Sequence, residues 1–178
     1  MGSLKPLDYL NLARIWLTAY PGLRSIWRAN SQPGIRVNYG YDRVPGPSEK
    51  VFGGLVKLQD LSCVFPQSNQ FPTILYLVSS ALPYFPVRIA KLARKAGAKV
   101  VLNQNGVAYP GWFGQGYDRE NRSMAYLHTI ADHVFYQSEF CKISAEKFLG
   151  LRKPEQKSEI LYNPVDTEIF RPDRQRKR

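Results

Sequence analysis

The stretch TILYLVSSALPYFPVRIAKLARKAGAKVVLNQNG, residues 73–106, carries one strand–helix–strand pattern and decides the fold class. Its first part, TILYLVSSAL, is a short continuous apolar run, as expected of a strand buried on both faces of a parallel sheet. In the segment that follows, Pro86 stands at a first helical position, where its missing N–H leaves no bond unmade. Ile89, Leu92, Ala93 and Ala96 recur at helical spacing, Arg88, Lys91 and Lys95 lie opposite, and Gly97 closes the turn. KVVLNQNG is the next strand, apolar at its start and polar at its end.

The same alternation extends outward in both directions. Upstream, IRVNYGY (35–41) reads as a strand and DRVPGPSEKVFGG (42–54) as a loop rich in Gly and Pro. A helix then turns Leu55, Leu58 and Leu61 inward, and PQSNQFP (66–72) is a turn. Downstream of an aromatic, Gly-rich loop, Asp118 is placed to cap a helix through RENRSMAYLHTIAD (119–132). HVFYQS (133–138) is a strand, EFCKISAEKFLG (139–150) a helix ended by Gly150, and SEILYNPVD (158–166) a fifth strand. Strands alternating with helices of this length predict an α/β fold: a Rossmann-like, doubly wound, mainly parallel sheet with helices on both faces. The organisation expected is an N-terminal helical segment at 1–34, the Rossmann-like domain at 35–172 and a basic tail at 173–178. Within the first segment, LDYLNLARIWLTAY (7–20) is amphipathic, and Pro21-Gly22 separates it from LRSIWRAN (23–30). Packing onto the domain and lying at a membrane interface both suit that pattern.

Composition narrows the partners. The chain has 178 residues, a formal net charge of +11 and a pI of about 9.8, which favours nucleic acid, phosphate-bearing substrates or an anionic membrane surface. Cys63 and Cys141 are too few and too far apart for a disulfide framework, so a cytoplasmic setting is expected. No apolar stretch reaches the ~18 residues of a membrane span. His128 and His133 lie five apart, which does not put them on one helical face for a metal. No metal site and no resident cofactor are expected. Among the acids, Glu49, Asp60, Asp118, Glu120 and Glu139, nothing in the sequence pairs two for acid–base work, so no catalytic residue is assigned.

In parallel α/β sheets, ligands sit beyond the carboxyl ends of the strands. That rule selects the loops after Tyr41, Ala81, Gly106, Ser138 and Asp166. Gly53 and Gly54 open the first sheet-packed helix, where two glycines let backbone N–H groups approach a phosphate closely. A turn that needs positive φ would also call for them. NQNGVAYPGWFG (103–114) is the densest cluster in the chain. Asn103, Gln104 and Asn105 offer amides to a hydroxyl-rich acceptor, and Tyr109 and Trp112 offer faces on which a sugar ring can stack. A hydrophobic plug behind an Asn-Gly turn is the structural alternative. There is no GxGxxG or Walker-type loop, which argues against a dinucleotide oxidoreductase and a P-loop NTPase.

EILYNPVDTEIFRP (159–172) resembles the segment that closes the N-terminal domain of family 4-type glycosyltransferases of the GT-B fold. There an Asn/Gly-Val-Asp segment precedes a Phe-x-Pro element; here the matching residues are Asn163, Pro164, Val165, Asp166, Phe170 and Pro172. ADHVFYQSEFCKISAEKFLG (131–150) is similar to the preceding strand–helix unit, its strand ending in Ser138 before Glu139. The Gly53-Gly54 pair matches the family's first-loop glycines, which approach the donor phosphates. The resemblance spans roughly Ile35 to Pro172 and implies half of a hexosyltransferase that uses a nucleotide-sugar donor and a glycan or lipid-linked acceptor. It implies metal independence and an acceptor-holding role for this half. It also implies a second Rossmann domain or partner chain for the donor, without which this chain is expected to be inactive. Ser138, Glu139, Asn163, Pro164 and Asp166 would then lie at the cleft edge and interdomain crossover. The family's His after the middle strand has no counterpart, since that strand ends NQNG. A non-catalytic carbohydrate- or nucleotide-binding module and a basic nucleic-acid binder are the competing classes, the latter disfavoured because no nucleic-acid motif occurs. Cytoplasmic location, peripheral at an anionic membrane, completes the expectation.

Overall fold

From residue 33 onward the described residues form, in order, β1 (Val37–Asn38), α1 (Gly54–Val64), β2 (Ile74–Val78), α2 (Pro86–Lys95), β3 (Lys99–Gln104), α3 (Pro110–Phe113), α4 (Tyr117–Ile130), β4 (His133–Tyr136), α5 (Glu139–Leu149) and β5 (Lys157–Ile160). This is a computed structural model, and it describes residues 24–27, 33–165, 167 and 171. The N-terminal amphipathic stretch 7–20, Asp166, Phe170, Pro172 and the 173–178 tail lie outside the described residues.

All four strand pairings are parallel, so the fold is a Rossmann-like α/β sheet, parallel throughout. The strands stand side by side in sequence order, β1 to β5. Alternation along them separates two layers. Leu75, Leu77, Val100, Leu102, Val134 and Tyr136 face one side and form the main core with α2, α4 and α5, through Ile89, Ala93, Leu127, Ala131 and Ala145. Ile74, Tyr76 and Val78 face the other side and pack with Val37, Tyr39 and Leu58 beneath α1. Helices therefore cover both faces.

α1 does not lead straight to β2. Gln67 forms a parallel bridge with Val37 on the side of β1 away from β2, where Ser68 donates to the Val37 carbonyl. The chain then passes Arg36, whose side chain donates to the Phe71 carbonyl, and enters β2 on the other side of β1. The direction of advance therefore reverses at β1, and right-handed crossovers place α1 on one face and the later helices on the other, as the sequence suggested.

Other boundaries shift in ways that have physical causes. The first strand is shorter than IRVNYGY, because β2 accompanies it only at Val37 and Asn38. Asp118 does not cap α4; Gly116 holds the cap position in a left-handed conformation, and Asp118 sits in the first turn, where its charge meets the helix dipole. SEILYNPVD pairs only over Lys157–Ile160. Residues Arg24–Ile26 are helical, and Trp27 is buried at 5% exposure in the main core beside Ile26. Trp27 is thus spent on packing and is not displayed as a membrane anchor. Among the described residues no helix is long and apolar enough to cross a membrane.

Candidate functional site

The carboxyl ends of β2 and β3 and the start of α5 enclose a cleft of about 600 Å³. Its polar end is made by Ser79, Ser80 and Asn105; its wall by Val107, Tyr109, Trp112, Phe113, Met124 and Phe140, with Cys141 and Ser144 from α5.

Asn105 is the hub of this edge. Its backbone N–H donates to Ser79 Oγ at 2.9 Å, and its side-chain amide donates to Ser80 Oγ at 2.7 Å. Its carbonyl accepts from the Cys141 thiol at 2.7 Å, and its Oδ1 accepts from Lys57 Nζ at 2.9 Å. Lys57 also donates to Asn103 Oδ1 at 3.2 Å and to Gln137 Oε1 at 3.3 Å. Burial lowers its pKa below the ordinary lysine value, with the nearby Cys141 acting the other way. Three amide oxygens and no carboxylate hold this ammonium among the described residues, so its charge is solvated by the protein without being neutralised.

The three amides grouped together in the sequence part company in the structure. Asn103 is buried and donates to the Tyr76 hydroxyl at 3.0 Å. Gln104, fully buried on the opposite face, donates to the Gly106 carbonyl at 2.5 Å, and its Oε1 has no partner among the described residues. Only Asn105 lines the cleft. Strand alternation is the cause: successive side chains of β3 leave on opposite faces, and both faces are covered there.

The aromatic loop is held from below. Asn121 is buried on α4; its Oδ1 accepts from the Ala108 N–H at 2.9 Å and its Nδ2 donates to the Ala108 carbonyl at 2.7 Å. Tyr109 is half-buried and stacks on Phe148, with ring centroids 5.9 Å apart. Trp112, in the short α3, is 68% exposed, so it is not a core plug.

Gly53 and Gly54 lie at the same edge, and each has a structural demand of its own. Gly53 adopts φ 50°, ψ −116°, a region side chains avoid. A Cβ on Gly54 would stand 2.6 Å from Ser80 Oγ and 2.7 Å from Val78 Cγ1, so the helix start presses directly on the end of β2. Ser138 caps α5 by accepting from the Cys141 N–H at 3.2 Å, and Glu139 is exposed in its first turn. Asn163 and Pro164 leave the sheet beyond β5, exposed and outside the cleft lining.

Of the acids noted in the sequence, Glu120 alone enters the lining, while Glu49 is tied to Arg43 at the surface. His128 is buried against the Tyr136 hydroxyl at 2.7 Å, and His133 faces Glu159 at 3.1 Å; both serve the framework. Among the described residues no group of His, Cys, Asp and Glu is placed to hold a metal.

Sequence reasoning missed Lys57, Phe140, Cys141 and Asn121. Lys57 had one available signal, a cation a single turn into the helix that Gly53-Gly54 opens. Asn121 had another, since a polar residue on the inner face of an amphipathic helix needs a partner. Comparisons with protein-family models, with curated proteins and with solved structures found no match, and the cleft is therefore read from its own chemistry.

Proposed function

We propose that this domain is the acceptor-holding half of a nucleotide-sugar-dependent glycosyltransferase, with the Asn105 cleft as the acceptor site. The observation that carries the reading is the convergence on Asn105. The ends of β2 and β3, Lys57 of α1 and Cys141 of α5 fix one amide and two serine hydroxyls at the mouth of a cleft with an exposed tryptophan on its wall. Fixed amide and hydroxyl groups suit the alternating donors and acceptors of a polyol, and an aromatic face suits the C–H face of a sugar ring. The likeness of residues 131–172 to the closing unit of family 4-type enzymes supports the same function.

On this reading the donor's C1–O(phosphate) bond breaks as the acceptor oxygen bonds to C1 and loses its proton, and the nucleoside diphosphate departs. Donor binding belongs to a second Rossmann domain or partner chain. The uniformly basic outer face of α2, with Arg88, Lys91, Arg94 and Lys95 exposed, supports a peripheral position at an anionic membrane on the cytoplasmic side.

Titration with methyl glycosides, followed by NMR of the Asn105 side-chain amide and the Trp112 indole, tests the acceptor site. Saturable shifts confined to the cleft are expected, weakened at least tenfold in Trp112→Ala. Saturable binding that leaves both groups unmoved would overturn it.

A further inference from the structure

Among the described residues, Glu120 is the one charged side chain in the cleft lining, on a wall otherwise built of Tyr109, Trp112, Phe113, Met124 and Phe140. The rings adjoin one another: the Trp112 centroid lies 6.4 Å from that of Tyr109 and 6.0 Å from that of Phe113. The chain has 25 Lys and Arg, yet among the described residues its own cations take neither this carboxylate nor these rings. The salt bridges there use Glu49, Asp132 and Glu159, and the cation–π contacts use Phe85, Tyr126 and Phe148. Asp118 shares the first turn of α4, so the helix dipole is met without Glu120. The amide end of the cleft carries the opposite charge. Beside Ser79, Ser80 and Asn105 stands the Lys57 ammonium, held by amide oxygens alone. Glu120 sits further along, where its neighbour Asn121 clamps Ala108.

We infer that the acceptor is an amino sugar, with its hydroxyls at Asn105, Ser79 and Ser80 and its free ammonium group at Glu120, against the rings of Trp112 and Phe113. This rests on the acceptor-site reading and names the chemical class of the acceptor. Aromatic faces and a carboxylate both attract an ammonium group, and neither attraction survives acylation of the amine. The two protein charges set the orientation, since Lys57 repels the ammonium from the amide end and Glu120 draws it to the ring wall. A neutral sugar would use the amides and the rings and leave the charge of the carboxylate unanswered.

The test is NMR titration of the full chain, followed at the Asn105 side-chain amide and the Trp112 indole. The probes are methyl glucosides carrying one free amine at each ring position in turn, their N-acetyl derivatives, and methyl glucoside itself. The best of the amines should bind about tenfold more tightly than its N-acetyl derivative and than methyl glucoside. Added salt should erode that preference, and Glu120→Gln should abolish it. Glu120 is exposed, so the variant should keep the parent's melting temperature. Tetramethylammonium, which has no hydroxyl, should shift the Trp112 indole and leave the Asn105 amide in place. A parent that prefers none of the amines, or a preference that survives in Glu120→Gln, overturns the inference. If methyl glucoside occupies the cleft and no amine improves on it, the amino-sugar class falls and the acceptor site stands. If none of the sugars shifts either reporter, both fall.

Discussion

Asn121→Ala is the substitution that most directly probes how the cleft is built. Asn121 is 2% exposed and makes two hydrogen bonds to one residue, Ala108, itself 2% exposed. The geometry fixes which amide atom is which, since a backbone N–H can only meet oxygen and a backbone carbonyl can only meet the NH2. Truncation leaves both backbone groups of the buried Ala108 without their partners. Each buried polar group left unpaired costs about 1–3 kcal/mol, so a loss of about 2–6 kcal/mol is expected for the two. For a chain of this length each kcal/mol lowers the melting temperature by about 2–4 °C. Urea unfolding gives the first quantity, and hydrogen exchange at the Ala108 amide locates it. Asn121→Asp should do at least as badly, because it keeps the acceptor but sets a carboxylate against the Ala108 carbonyl. A loss below about 1 kcal/mol with the Ala108 amide still protected would refute this account of the loop.

Two further expectations concern stability. His128 is held neutral, its pKa brought down to about 4, first by burial and then by the nearby Arg152 charge. The unfolded chain takes up that proton below about 6.5, whereas the folded chain resists until about 4. Stability is therefore full above that range and lost as pH falls through it, by up to about 3 kcal/mol. His128→Gln should flatten this limb of the urea-midpoint profile, and an unchanged slope would remove His128 as its source. Gly54→Ala should cost about 1–3 kcal/mol by overpacking against Ser80 and Val78. Gly106→Ala, with open space around it and no positive φ, should stay within about 0.5 kcal/mol by thermal melting.

The fold was legible where periodicity is long and both faces are used. Residues 73–106 announced β2, α2 and β3 because an apolar run, an amphipathic turn pattern and a second apolar run follow with Pro86 and Gly97 as punctuation. α5 was equally plain between Ser138 and Gly150. β1 was overread because IRVNYGY has strand composition, while its pairing length is set by how far a neighbour accompanies it. The site was legible by position and less so by residue. The carboxyl-edge rule found Asn105, Tyr109 and Trp112, but adjacency in NQN could not tell which amide survives burial on a sheet covered on both sides. Lys57 and Cys141 reach Asn105 from helices that are 48 and 36 residues away in sequence, and no local pattern records such contacts.

The reversal of the chain's direction at β1 explains why the cleft exists where it does. Parallel α/β sheets open a crevice where neighbouring strands send their following loops to opposite faces, and a reversal of strand order is the usual way to arrange it. Here the reversal falls at β1, which has Gln67 on one side and β2 on the other. The loop after β1 leads to α1 on one face, and the loop after β2 leads to α2 on the other. The two loops part at the carboxyl edge, with Gly54 pressed against Ser80 at the point of divergence. Asn105, at the next strand end, is then approached from both sides of the sheet, by Lys57 from the α1 face and by Cys141 from the α5 face. Had α1 packed in the same layer as α2 and α5, Lys57 could not reach Asn103, whose side chain leaves β3 on the face that α1 covers. The reversal at β1 and the Lys57 contacts at the carboxyl edge are thus one structural fact, and a change that displaced α1 from β2 would abolish those contacts.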